Sequence, residues 1–191
     1  MRYTVVDLKT QLNTTLADNT TGLISAQDVR DGMQSIVDSI TVVSALTTGN
    51  NVTGVSVPGI NTTPSELPAS FYTTEGSGDP ALLEARGNPE GDLQVKTTIG
   101  LLQVGFDVTI ETANGTDIGF TLTQNGVTVP MSIIISGRGT GNPVSASGSW
   151  LFTSLVANDT FNLVVYTLTA TATITLFSVG LKGILLPEYA A

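Results

Sequence analysis

Leu101–Glu111 reads LLQVGFDVTIE. Its apolar residues fall on alternate positions, at Leu102, Val104, Phe106, Val108 and Ile110. An extended chain gathers that set on one side, whereas a helix would scatter it around its axis. The stretch therefore predicts a strand with one face in a core. The same period of two runs through most of the chain downstream. GFTLTQNGVTV (Gly119–Val129) is a hairpin, because Asn125-Gly126 supplies the positive φ angles of a two-residue turn. MSIIIS (Met131–Ser136) predicts a more completely buried strand. WLFTSLV, FNLVVYTL, ATITLFSV and KGILL add further strands, separated by turns such as GRGTGNP and ANDT. Roughly eight short strands in about 110 residues, with no helical stretch between them, predict an antiparallel sandwich or closed barrel. Parallel α/β folds are excluded, since their crossover helices have no sequence to come from.

Two of these strands are apolar on both sides. In FNLVVYTL, Phe161, Leu163 and Val165 alternate with Val164, Tyr166 and Leu168. In ITLFSVG, Ile174 and Leu176 oppose Phe177 and Val179. A strand buried on both faces needs a second covering layer. Another subunit is the available source, so Val164, Tyr166, Leu168, Phe177 and Val179 are the predicted subunit interface of an oligomer.

Upstream the pattern changes. Residues 1–46 read as a helical anchor segment, with Leu8, Leu12 and Leu16 forming a short stripe. Ser25 is a good N-cap, with Asp28 three residues on, and Ile24 can staple against Val29. Ile24, Val29, Met33, Ile36, Val37 and Ile40 form the apolar attachment face, which is too short to be stable unless buried on something. Residues 47–70, TTGNNVTGVSVPGINTTPSELPAS, are punctuated by Gly, Asn and Pro and read as a linker or extended arm. Residues 71–191 are the predicted β domain.

Composition narrows the function. The chain has 191 residues, 41% of them hydrophobic and only 12% charged. That charge content is about half the usual quarter, so Thr, Ser, Asn and Gln must supply the polar surface. The net charge is -9, and the seven basic residues, Arg2, Lys9, Arg30, Arg86, Lys96, Arg138 and Lys182, form no run. Neither nucleic acid nor an anionic membrane is an expected partner. The N-terminus shows no run suited to a signal peptide, and no segment reaches the ~18 apolar residues of a membrane span. The Asn-X-Thr triplets are therefore read as a by-product of Asn/Thr richness.

With no histidine and no cysteine, His-based triads, thiolate catalysis and most zinc sites are excluded. Glu84, Glu90 and Asp92 cluster as a glycosidase pair would, but an acidic turn explains them as well. Gly76–Asp79 with Asp92 has oxygen ligands for calcium without an EF-hand spacing. SGRGTGN (Ser136–Asn142) lacks the lysine and the helix of a phosphate loop. Trp150 and Phe152 offer either a sugar platform or core aromatics. No cofactor and no catalytic residue is expected.

Three segments carry a family resemblance. FTLTQNG (Phe120–Gly126), SLVANDTFNLVVY (Ser154–Tyr166) and TLFSVGLKGILL (Thr175–Leu186) resemble, in order and spacing, the motifs of the C1q/tumour-necrosis-factor-like jelly roll. The last motif carries an extra residue between Phe177 and Gly180. The resemblance covers roughly residues 80–187 and implies a mainly β, double-sheet jelly roll that forms a homotrimer with apolar strands at its axis. A second string, NTTGLISAQDVRDGMQSIVDS, resembles an N-terminal segment of tailed-bacteriophage virion proteins through Asn19, Gly22, Ile24, Ser25, Asp28, Val29 and Arg30. That resemblance implies a non-enzymatic virion protein assembled in the host cytoplasm. The expected function is capsid decoration, with the helical segment binding the major capsid protein or another virion protein. The alternative is a host-glycan-binding knob of a short fibre. A depolymerase is a third reading, which would need two carboxylates facing each other across a groove.

Overall fold

The computed structural model describes residues 43–77 and 79–186, together with Val29 and Met33. The alternating segments form twelve strands. They are β1 (Val43–Ile60), β2 (Ser65–Glu66), β3 (Thr74–Ser77), β4 (Leu83–Arg86), β5 (Asp92–Val95) and β6 (Ile99–Glu111). They continue with β7 (Asp117–Gln124), β8 (Val127–Thr128), β9 (Ile133–Ser136), β10 (Val144–Leu155), β11 (Thr160–Thr167) and β12 (Ala172–Leu185). One 3-10 turn, Ala69–Phe71, interrupts them.

The strands build two antiparallel sheets. The first runs β10-β6-β12-β1-β3 and the second β4-β5-β11-β7-β8, with β2 paired to β11 and β9 to β7. The pairing is nested: β1 with β12, β5 with β11, β6 with β10, and β7 with β9. Four antiparallel pairs folded inside one another, with the chain crossing repeatedly between sheets, make a jelly-roll sandwich. The mainly β, antiparallel double-sheet jelly roll expected from the sequence is thus present.

The core lies between the sheets. Leu102, Val104, Phe106, Val108 and Ile110 are all buried in it, as the opening alternation predicts. Phe106 stacks on Trp150, their ring centroids 5.6 Å apart, and tilts against Phe120. Phe152 packs on Phe161 at 4.6 Å. Trp150 and Phe152 are therefore packing residues, and no free aromatic platform exists at that position. Each fully buried aromatic or branched side chain contributes about 1.5–3 kcal/mol relative to exposure. At one margin the sheets are tied by the Ala85 N–H, which donates to Ser77 Oγ at 2.9 Å.

Three expectations need correction. Residues 47–60 are no linker. They are most of β1, which lies between β12 and β3, and the jelly roll spans Val43–Leu185 rather than beginning at residue 71. The turn signals that hid the strand are local: the ladder slips between Asn50 and Val55, where Asn51 Oδ1 accepts from the Thr53 N–H and Oγ1, and Gly54 has φ +74°. MSIIIS is not deeply buried. It is a short outer strand with Met131 and Ile134 more than half exposed. ATITLFSV and KGILL are one strand, bent by a bulge between Leu176 and Ser178. Of the predicted attachment face, Val29 and Met33 are helical and exposed, while Ile24, Ile36, Val37 and Ile40 lie outside the described residues.

Candidate functional site

The first sheet turns its inner residues to the core and leaves an outer face of unusual chemistry. Opposite Leu102, Val104, Phe106 and Val108 come Leu101, Gln103, Gly105, Asp107 and Thr109. Register places Leu46, Lys182, Gly105 and Ser149 in one row across β1, β12, β6 and β10. The next row holds Thr48, Gly180, Asp107 and Ser147, and the row on the other side ends in Ile184, Gln103 and Leu151. Small residues in the middle make a shallow depression of about 340 Å³, lined by Gln103, Gly105, Asp107, Ser147, Ser149, Lys182 and Ile184. Asp107 reaches over Gly180, its Oδ1 2.5 Å from where a Cβ would stand, and being exposed it could turn aside. Gln103 Nε2 donates to Ser149 Oγ at 3.1 Å, and Thr109 and Ser145 share a hydrogen bond of 2.9 Å. Leu46 and Leu151, exposed by 39% and 62%, flank this polar floor. The face offers hydrogen bonds, one cation, one carboxylate and an apolar rim.

A second feature lies where β6 meets β7 and β9 meets β10. Three backbone bonds fasten the two loops: Gly115 N–H to Gly137 O (3.0 Å), Gly137 N–H to Thr116 O (2.8 Å) and Gly139 N–H to Thr112 O (3.1 Å). Beside them a depression of about 420 Å³ is lined by Ser136, Arg138, Pro143 and Ser145 among others, and Arg138 is exposed.

Towards the start of β11, Asn125 and Asp159 form a clamp. Asn125 and Gly126 have φ +52° and +76°, the mirror-image turn that Asn-Gly favours. The Asn125 N–H donates to Thr160 O and the Thr160 N–H to Asn125 Oδ1, both at 2.9 Å. Asn125 Nδ2 donates to Asp159 Oδ1 at 2.7 Å, and the Val156 N–H donates to Asp159 Oδ2 at 2.9 Å. The clamp ties the β7–β8 hairpin to the β10–β11 turn.

Two of the three clustered carboxylates are paired, and the third, Glu90, is exposed. Asp92, 5% exposed, accepts from both Nε and Nη2 of Arg86, and Glu84 pairs with Lys96 Nζ at 3.0 Å. The hydrogen bond to Asp92 raises the Arg86 pKa above its ordinary value, followed by smaller carboxylate contributions against the opposing effect of burial. Asp79 accepts from the Ala81 N–H instead of turning to Asp92. Among the described residues, no three Asp or Glu side chains gather as a metal site would require. Tyr72 is 2% exposed and its hydroxyl has no partner among the described residues; burial, then the charge of Glu66, pushes its pKa up.

The five predicted interface residues do not form one surface. β11 belongs to one sheet and β12 to the other. Val164 and Val179 are covered within the chain itself, at 3% and 1% exposure, so a sister chain has little left to cover. Tyr166 is half-buried over Gly119, where a Cβ would lie 2.3 Å from the ring. Phe177 is half-buried beside Gly54, and Leu168 is 40% exposed. On β12 the bulge between Leu176 and Ser178 turns Val179 to the core beside Val108, so that strand has one apolar face, while the second face of β11 runs from buried Val164 through half-buried Tyr166 to exposed Leu168. The outer face of the first sheet was missed because glycine and serine carry little hydrophobic signal. The alternation itself marked it, as the residues between the core positions.

No protein-family model matches the chain, and no curated protein matches it. Solved structures are similar in backbone. The crystal structure of murine APRIL at pH 5.0 is 16% identical, with 76% of this chain and 100% of that chain covered at a TM-score of 0.49. Eiger TNF from S. frugiperda is 16% identical, with 78% and 95% covered at 0.48. The globular domain of zebrafish complement 1qA protein is 11% identical, with 73% and 94% covered at 0.46. The fold assignment rests on the chain's own nested strand pairs, which make it an antiparallel jelly-roll sandwich.

Proposed function

We propose that this chain is a non-enzymatic, homotrimeric structural protein of a tailed-bacteriophage virion that decorates the capsid by binding the major capsid protein lattice. The observation that carries the reading is the string Asn19, Gly22, Ile24, Ser25, Asp28, Val29 and Arg30 set ahead of a self-contained jelly roll. The string supplies the resemblance to virion proteins. The jelly roll supplies a unit whose first sheet has an outer face suited to close packing against sister chains. Small residues at Gly105, Gly180, Ser147 and Ser149 let backbones approach, while Leu46, Leu151 and Ile184 supply apolar contact. Cementing then works by mass action: area buried across capsomer boundaries exists only in the intact shell. Assembly in the host cytoplasm accords with a chain that holds its fold without disulfides.

The test has two parts. Sedimentation of the full chain gives a species of three times 19.8 kDa, and Leu151→Glu shifts it towards the single-chain mass without loss of β-sheet circular dichroism. A stable single chain at micromolar concentration refutes the trimer. Capsids lacking this protein then bind the full chain but not a chain shortened by residues 1–42. Decoration by the shortened chain refutes the anchor.

A host-glycan-binding knob is the second reading. It is favoured by the two fastened loops with Arg138 exposed above a depression of about 420 Å³. Binding of acidic host polysaccharide by the isolated chain, abolished by Arg138→Ala, would prefer it over decoration.

A further inference from the structure

The described residues hold two Asn-Gly dipeptides, Asn114-Gly115 and Asn125-Gly126, in opposite circumstances. We propose that Asn114 is a site of spontaneous deamidation and isoaspartate formation in the native protein, while the clamp protects Asn125 from the same reaction.

The reaction needs no partner but water. The backbone nitrogen of the following glycine attacks the asparagine Cγ, a C–N bond forms, and the side-chain amide leaves as ammonia. Water then opens the five-membered imide at either carbonyl, giving aspartate or isoaspartate. Glycine is the favourable follower because it has no side chain to obstruct the approach. What the fold controls is whether Cγ can swing onto that nitrogen.

At Asn125 it cannot do so without loss. Oδ1 is held by the Thr160 N–H at 2.9 Å and Nδ2 by Asp159 Oδ1 at 2.7 Å, and Asp159 is only 7% exposed. Asn125 is exposed as Asn114 is, but rotating its amide breaks both bonds and takes a donor from the buried Asp159 carboxylate. Asn114 is exposed, and among the described residues its side chain makes no hydrogen bond. One restraint acts there: the Gly115 N–H, the attacking group, donates to Gly137 O at 3.0 Å and must release it. A single backbone bond at an exposed loop is a weaker restraint than two side-chain bonds, one of them to a carboxylate.

The product matters because of where Asn114 sits. Its Cβ lies 3.7 Å from the position a Cβ would take on Gly139, against the loop that carries Arg138. Deamidation adds a negative charge to the loop pair that carries Arg138, and isoaspartate adds a backbone atom to a loop fastened at three points. The loop pair therefore ages chemically while the clamp end does not.

The full chain, incubated in its native state at mildly alkaline pH and physiological temperature, is sampled over weeks and mapped by proteolysis and mass spectrometry. Loss of the intact amide is measured at both sites, natively and in concentrated guanidinium. Asn114 should react about tenfold or more faster than Asn125 natively, with the two rates within about threefold when unfolded. Asp159→Ala should speed Asn125 and leave Asn114 unchanged. A native ratio below about threefold, a reversed order, or a native ratio that persists unchanged in the unfolded chain overturns the proposal.

Discussion

Removing the Asp159 carboxylate is the most informative single perturbation of the jelly roll. The side chain is 7% exposed and accepts well-formed bonds from the Val156 N–H and from Asn125 Nδ2. A third donor, Gln124 Nε2, stands at 3.5 Å and is counted as negligible. Asp159→Ala strands two donors and opens a small space. A hydrogen bond to a charged group is worth about 1.5–3 kcal/mol, and each stranded partner regains part of that from water. The expected loss is about 3 kcal/mol, or about 6–12 °C in Tm for a chain of this size. Asp159→Asn retains one acceptor but presents an NH2 to the other donor, so it should lose about half as much. Urea unfolding at neutral pH, with equal m-values required, measures both. The double mutant with Asn125→Ala should recover about 1–2 kcal/mol of coupling. A loss below about 1 kcal/mol for Asp159→Ala, or additive single mutants, would show that the two turns are not held by this clamp.

Other consequences are simpler. Gly119→Val drives a Cβ into the Tyr166 ring, 2.3 Å away, and should destabilise by about 1–3 kcal/mol, with Gly119→Val/Tyr166→Ala partly rescued in thermal melts. Tyr72→Phe removes a buried hydroxyl that has no partner among the described residues and should leave stability at neutral pH unchanged or higher by up to about 1 kcal/mol. Because the folded pKa of Tyr72 is raised above its ordinary 10.0, its contribution is fully present below that value. It is lost as pH climbs above, when the unfolded chain releases the proton first. The wild type should therefore show a steeper fall in stability above pH 10 than Tyr72→Phe; parallel alkaline profiles would remove Tyr72 as the source.

Legibility in the sequence followed signal strength. LLQVGFDVTIE and the Asn-Gly hairpin are strong local patterns, and β6 and the β7–β8 turn follow them residue by residue. β1 was hidden because Thr, Gly and Asn around a bulge imitate a loop; only its partner β12, far along the chain, makes it a strand. That Val164 and Val179 are covered within the chain was hidden for a related reason. Alternation tells which residues share a face, but which sheet receives each strand is a matter of topology. Asp159 stood inside a family motif, yet its role as a clamp needed Asn125, which is near it only in the folded chain.

The pairing of β1 with β12 also sets a timetable. Val43 meets Leu185, so the first of the described strands cannot complete its pairing until the last of them has left the ribosome. At roughly 5–20 residues per second, synthesis leaves the β12-facing edge of β1 unpaired for many seconds, although β3 can pair its other edge sooner. A strand rich in Val and Ile would be a hazard in that interval. VSALTTGNNVTGVSVPGI, with its threonines, glycines, asparagines and proline, is a strand that can wait in solution. The composition that disguises β1 as a loop is the same composition that keeps it from finding the wrong partner before the right one exists.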